Sequence, residues 1–399
     1  MSYILTKMTD IIEFNPREFI AKKQVCKKVP MEYLQPFTRQ ISGYKEAPYA
    51  GGTKFRNNDT IMARITPCLE NGKTALIKGF AENEVIFGST EYIVMRAISG
   101  SSDPTFIYYL ATSSSFREVA IKSMVGSSGR QRVQQDILEN LELVLPDYET
   151  QVRVGKVLAS FDDKIELNAQ INHNLEEQAK AIFKSWFVDF EPFQNGKFVD
   201  SELGKIPQGW RIGILSDILT HRKESLQVGE KEWSYLPIDK IPMRSLGIKG
   251  FAPNSEAQSS LLAFYKNDII IGAMRVYFHR VIISPCSGIT RTTCFVLIPK
   301  KESLLEYSLL LCNSDETIDY AQSTSKGSTM PYAVWDNALA NKRILIPPDS
   351  VLNQFSKVTK NIIAHIRDSY KEQSLLIQLR DTLLPKLMSG EIDISEVEI

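Results

Sequence analysis

At 399 residues, with 43% hydrophobic and 24% charged side chains, the chain has the composition of an ordinary globular protein and length for roughly two to three domains, which excludes fibrous and disordered classes. Its 47 basic and 47 acidic residues cancel, which argues against a free-standing nucleic-acid binder with a strongly basic surface but leaves room for cations concentrated on one face. Five cysteines without a C-x-x-C pair (Cys26, Cys68, Cys286, Cys294, Cys312) read as reduced thiols, and neither a signal-like start nor an apolar run of membrane length is present, so a cytoplasmic protein without a membrane segment is expected.

In chain order, the first part is rich in short β-branched and aromatic runs bounded by Gly, Pro, Asn and Asp: TALIKGF, EVIFGSTEYIVMRA and LELVLP. A helix is expected over Pro104–Ser123, with Asp103 as its N-cap. From Asp147 to Phe190 apolar residues recur at helical spacing and no proline intervenes; Asp147 reads as an N-cap, and the residues from Asp162 begin a second stretch of about 28 residues, roughly 40 Å long. ELGKIPQGW (Glu202–Trp210) has the punctuation of a linker. A second β-rich part follows (DIIIGAM, RVIISP, TTCFVLIP, RILIP), and then a second long helical segment from SVLNQF to LMSGEI.

The second half repeats the first. A shift of 201 residues, Gly126 onto Gly327, also superimposes Val133 on Val334, Pro146 on Pro347, Ile165 on Ile366 and Leu175 on Leu376. Earlier the offset drifts, but Asp10-Ile11-Ile12 still meets Asp217-Ile218-Leu219, Pro30-Met31-Glu32 meets Pro237-Ile238-Asp239, and Asn58-Asp59 meets Asn267-Asp268. The fold class expected is therefore α+β: two similar α+β domains in tandem, separated by two long helices that pair as an antiparallel coiled coil, with a pseudo-twofold internal repeat. The pairing positions are Ile165, Asn168, Asn172, Leu175, Ala179, Ile182 and Trp186 on one helix, and Ile366, Ser369, Gln373, Leu376, Arg380, Leu383 and Leu387 on the other. Both seams have apolar ends around a polar middle, which serves register better than stability. Trp186, Phe187 and Phe190 are more apolar than a solvated tip needs, so they are expected to dock on a neighbouring domain or partner.

Catalytic signatures are weak. Asn15-Pro16-Arg17 and Pro347-Pro348 lack what a methyltransferase motif requires. Asp147 with Asp162-Asp163-Lys164 imitates a nuclease spelling, but capping and solvation explain these residues better. The four histidines (His173, His221, His279, His365) have no Cys or carboxylate at ligand spacing and read as surface or interface residues, so no metal site is expected. Binding needs only polar and basic loops, and these are present. In half one they are Arg64, Asn71 and Lys73, with Ser127, Ser128, Arg130, Gln131 and Arg132 of GSSGRQR. In half two they are Lys326, Ser328, Thr329 and Tyr332, with Arg275, Arg280 and Arg291.

NDTIMARITPCLENGKTALI (Asn58–Ile77), GSSGRQRV with the block from Glu149 to Phe190, ELGKIPQGW and LLPKLMSGEI together resemble the specificity subunits of type I restriction–modification systems over essentially the whole chain. The resemblance implies target-recognition domains at 1–146 and 193–346, a central spacer helix at 147–192 and a C-terminal spacer helix at 347–399. Each recognition domain would read one half of a split double-stranded DNA site, and the helices would set the gap and dock two modification (methyltransferase) subunits, with restriction subunits a further partner. It also implies a non-catalytic chain that holds no cofactor, S-adenosylmethionine, Mg and ATP belonging to the partners. Half two departs from the family pattern: GAMRVYFHR (Gly272–Arg280) stands where half one has ARITPCLENGK. An enzyme with a divergent site and a structural adaptor are the alternatives.

Overall fold

The computed structural model describes residues 2–227, 229, 233–248, 250–258 and 260–394, so the end of the 347–399 segment, 395–399, lies outside the described residues. The chain forms two compact units, Met1–Lys164 with Leu376–Ile399, and Ile165–Leu375.

In the first unit, an antiparallel sheet runs Ile12–Phe14, Tyr92–Ala97, Thr60–Ala63, Thr74–Leu76. A second runs Lys45–Pro48, Val25–Val29, Ile86–Gly88, Lys54–Phe55, and its middle pair is parallel. A ribbon of Tyr3–Lys7 and Glu142–Pro146 joins the ends of the domain. The second unit has the same plan: one sheet of Leu219–His221, Cys294–Pro299, Ile269–Gly272 and Val281–Ile283, another of Ser225–Leu226, Leu261–Phe264, Gly288–Arg291 and Ser234–Leu236, and a ribbon of Arg211–Ile214 with Arg343–Ile346.

The weak sequence matches are structural equivalents. Asn58 and Asn267 both adopt left-handed backbone (φ 70° and 72°), and the next residue, Asp59 or Asp268, accepts a hydrogen bond from the backbone N–H three residues before it. Asparagine tolerates that conformation and aspartate closes the turn, which is why the pair recurs. The 201-residue shift slips by one in the later loop. Val133 N–H donates to the Arg64 carbonyl, whereas its counterpart donating to the Ala273 carbonyl is Ala333, not Val334.

Four other expectations change. Asp103 does cap its helix, accepting from Phe106 N–H, but the helix breaks at Ser113 into Pro104–Thr112 and Ser114–Lys122. Asp147 caps as expected, accepting from Thr150 N–H at 3.0 Å, yet no second stretch begins at Asp162: one helix of 40 residues runs Tyr148–Phe187, about 60 Å at 1.5 Å per residue. Asp162 is buried rather than solvated, held by Arg380 (2.5 Å) and the Tyr109 hydroxyl (2.6 Å). The expected linker contributes Gly204–Pro207 to a hairpin with Phe198–Ser201, and Trp210 enters the core.

The second long helix, Asp349–Ser389, runs antiparallel to the first within each unit. In the second unit, the Ile165 carbonyl accepts from Gln373, Asn168 donates to Glu372, and the Phe355 ring packs on Phe183 and Trp186, so numbers fall on one helix as they rise on the other. Asn168, Asn172 and Ile366 are buried at the seam, and Leu175, Ile182 and Trp186 pack against the cluster containing Ile366. Ile165 is half-buried. Leu376 is half-buried, while Leu383 and Leu387 join the first unit's core with Leu158 and Val154. Trp186, Phe187 and Phe190 dock on Trp210, Phe193, Tyr307 and Phe355 of their own unit. Aromatic burial of this kind sets the helix firmly in that domain.

Candidate nucleic-acid interface

Each unit brings together the two segments that the sequence singled out separately. In the first, the connection between strands Thr60–Ala63 and Thr74–Leu76 folds as a tight turn, with Leu69, Asn71 and Gly72 N–H groups donating to Ile65, Pro67 and Leu69 carbonyls. The loop after Val125 lies along it: Thr66 N–H donates to the Gln131 carbonyl, and Gln131 N–H donates to Thr66 Oγ1 (2.9 Å). Gly126 and Gly129 have positive φ (132° and 77°), which lets this loop turn back on itself within six residues of Arg132. Arg117 fastens the turn to helix Ser114–Lys122, donating to the Glu70 carbonyl (2.6 Å) with its guanidinium over the Phe37 ring.

The second unit repeats the arrangement with other side chains. The connection 273–280 is a single turn, Val276–Phe278, between two left-handed residues, Arg275 and His279. Arg275 N–H donates to the Pro331 carbonyl (2.7 Å), and Lys326 and Tyr332 exchange backbone hydrogen bonds at 2.9 Å. His279 fastens this turn to the junction of two short helices, Leu305–Cys312 and Asp315–Ser323: its Nε2 meets Asn313, and its Nδ1 lies 3.3 Å from the Asp315 carboxylate.

The candidate residues divide by what already holds them. Ser127, Ser128, Arg130 and Asn71 are exposed in the first unit, as are Arg275, Lys326, Ser328, Thr329 and Tyr332 in the second. Arg130, Arg275 and Lys326 have no ion pair among the described residues. Gln131 is half-buried beside Thr66. Arg132 is exposed but chelates Glu91, and that hydrogen-bonded pairing holds the Glu91 carboxyl below its usual range. Lys73 donates to the Met31 carbonyl and Arg64 to that of Val133, so both staple the fold. Arg280 lies over the Phe278 ring, and Arg291 ends a strand of the other sheet opposite Leu261. Sequence reasoning missed Phe37, Tyr277 and Met330, which are 57%, 42% and 50% exposed at these turns. An aromatic or methionine between turn residues was the available signal.

Two histidines are not surface residues. His279 is 4% exposed, and His221 packs edge-on against Phe295, its pKa pushed down by burial. Among the described residues no group of three His, Cys, Asp or Glu side chains could hold a metal ion, and no helix is long and apolar enough to cross a membrane.

Duplicated domains on shared antiparallel helices, each presenting a paired turn and loop with exposed hydroxyls and cations, define a tandem recognition protein. Residues 5–177 match the type I restriction modification DNA specificity domain. The chain is 31% identical to the type I restriction enzyme MjaIX specificity subunit of Methanocaldococcus jannaschii, over 73% of this chain and 70% of that one. It is 24% identical to the HindI specificity subunit of Haemophilus influenzae, over 88% and 90%. In fold it is similar to the crystal structure of the type I restriction–modification S subunit from M. genitalium, with a TM-score of 0.56 at 15% identity over 97% of this chain and 96% of that one. The chain belongs to the specificity subunits of type I restriction enzymes, and its role is DNA recognition.

Proposed function

We propose that each recognition domain reads one half of a split double-stranded site, that the long helices set the unread gap, and that they dock two modification subunits, one per half. Methyl transfer from S-adenosylmethionine belongs to those partners, as does cleavage with ATP and Mg where restriction subunits join; this chain holds no cofactor. The observation that carries the reading is the turn-and-loop pair built twice on one backbone plan with different side chains, Arg130 and Ser128 against Arg275, Lys326 and Tyr332. One plan with two surfaces suits two different half-sites. Hydroxyls and guanidinium groups suit phosphates and base edges, and phosphate contacts outnumber base contacts in such interfaces. Exposed Leu167 and Leu375 in one unit and Leu379 in the other give the helices apolar surface for a partner.

Zero net charge adds a constraint, because DNA affinity grows with the phosphates neutralised. The chain alone binds duplex weakly and needs its partners for selectivity. The test is methylation of duplex DNA by the chain with and without modification subunits. Turnover appears only in the complex and marks a bipartite sequence. Turnover by the chain alone, or nanomolar specific binding by it in about 0.15 M salt, contradicts the reading.

A further inference from the structure

In the second unit, one carboxylate ties the first long helix to the reading turn. Glu176 is 3% exposed, and its Oε1 accepts from Ser245 Oγ (3.0 Å), Leu246 N–H (2.9 Å) and the Tyr370 hydroxyl (3.1 Å). The Ser245 and Tyr370 hydroxyls also meet each other at 2.5 Å. The loop lies flush on the tyrosine: a Cβ at Gly247 would sit 1.9 Å from the ring. From there the connection continues. The Leu246 carbonyl accepts from Ile283 N–H, and Arg244 N–H donates to the His279 carbonyl (2.7 Å), so the gripped loop is bonded to the C-terminal end of the turn that carries Arg275 and Tyr277 and to the strand that follows it, Val281–Ile283. A buried carboxylate is costly unless its hydrogen bonds are made, so this contact has one favoured geometry.

The first unit solves the same problem otherwise. There the equivalent carbonyl is that of Arg39, which accepts from Leu76 N–H as Leu246 does from Ile283. Its side chain reaches the first long helix as a cation, bonding Asp163 at 2.5 Å. The 201-residue counterpart of Glu176 is Ile377, so the Glu176 grip is particular to the second domain.

We propose that Glu176 is a positioning residue for the second recognition domain. It touches no DNA and sets, through Leu246 and the 273–280 turn, how strictly the second half-site and its gap are read. This rests on the function proposed above. The test uses the assembled complex with its modification subunits and duplexes carrying the site mapped by adenine methylation. Gaps are natural, one base pair shorter or one longer, and single-base changes are placed in either half.

The expected result for Glu176→Leu is a loss of gap discrimination of up to about a hundredfold, the scale on which displacing a positioned group by about an ångström costs. Tolerance of changes in the second half rises with it, while the first half is read as before. Glu176→Gln, whose amide oxygen still accepts, restores discrimination to near the wild-type level. Tyr370→Phe moves it the same way by less, and carries the test if Glu176→Leu fails to assemble. Unchanged ratios among gaps in Glu176→Leu or, failing that, in Tyr370→Phe, overturn the proposal. So does an equal loss at both halves. A wild-type complex that methylates no split site overturns the functional reading itself, a result separable from these.

Discussion

The two units share a backbone plan and differ in how they are finished. Their second sheets have a common core, Val25–Val29, Ile86–Gly88 and Lys54–Phe55 in one, and Ser234–Leu236, Gly288–Arg291 and Leu261–Phe264 in the other. The fourth strand is added on opposite edges: Lys45–Pro48 beside Val25–Val29, but Ser225–Leu226 beside Leu261–Phe264. Their helix contacts differ as well. The first unit closes on a buried ion pair, Asp162 with Arg380, whose side chains are 3% and 10% exposed. The second closes on an aromatic cluster around Phe355 and on the neutral donors to Glu176. Duplication fixes the frame, whereas edges, staples and exposed loop tips are free to diverge.

The largest test of that difference is Arg380→Met. It strands a buried carboxylate and should cost about 3–5 kcal/mol. All four tryptophans, Trp186, Trp210, Trp233 and Trp335, lie in the second unit. Loss confined to the first unit therefore lowers the circular-dichroism transition and leaves the tryptophan-detected one in place; an equal shift of both would show that the units unfold as one. Gly247→Ala is the second-unit counterpart. Its methyl meets the Tyr370 ring, so an overpacking cost of about 1–3 kcal/mol should appear in tryptophan fluorescence.

Acidity separates the units by sign. Asp147 accepts backbone N–H bonds from Ser2 and Thr150, which hold its carboxyl well below the usual range. Its contribution is present above the unfolded value and lost as pH falls towards the folded one, so Asp147→Asn destabilises at neutral pH and matches the wild type in strong acid. Burial pushes Glu176 the other way, partly offset by its hydrogen bonds. A raised folded value means that proton uptake favours the fold, so wild-type stability gains on mild acidification, and Glu176→Gln removes that gain. Thermal unfolding across pH reads both.

The smallest effects fall on the loops. Removing Arg130, Arg275 or Lys326 singly should lower the slope of log affinity against log salt by about 1 in the assembled complex, and removing Arg132, already paired with Glu91, by less.

Much of the frame was legible because it is local. Asn58-Asp59 and Asn267-Asp268 announce a turn by residue type, Asp103 and Asp147 announce helix starts, and apolar spacing announces the long helices. What was not legible depends on distant partners. Asp162 reads as a solvated charge until Arg380, 218 residues away in sequence, is seen beside it. Lys73 and Arg64 read as free cations because the carbonyls they bond belong to other segments. Glu176 sits one place from the expected pairing position Leu175, and nothing local separates a buried carboxylate from a solvated one. The one-residue slip between Val133 and Ala333 is hidden because Val334, the residue after Ala333, matches Val133 in type.

The most direct test of the account exchanges residues 1–146 for the corresponding segment of another family member, keeps the rest of the chain, and maps methylated adenines in cells carrying the complete system. One half of the methylated sequence should change while the other half and the gap between them stay as they were. An unchanged sequence, or a change in both halves, would contradict the assignment of one half-site to each domain.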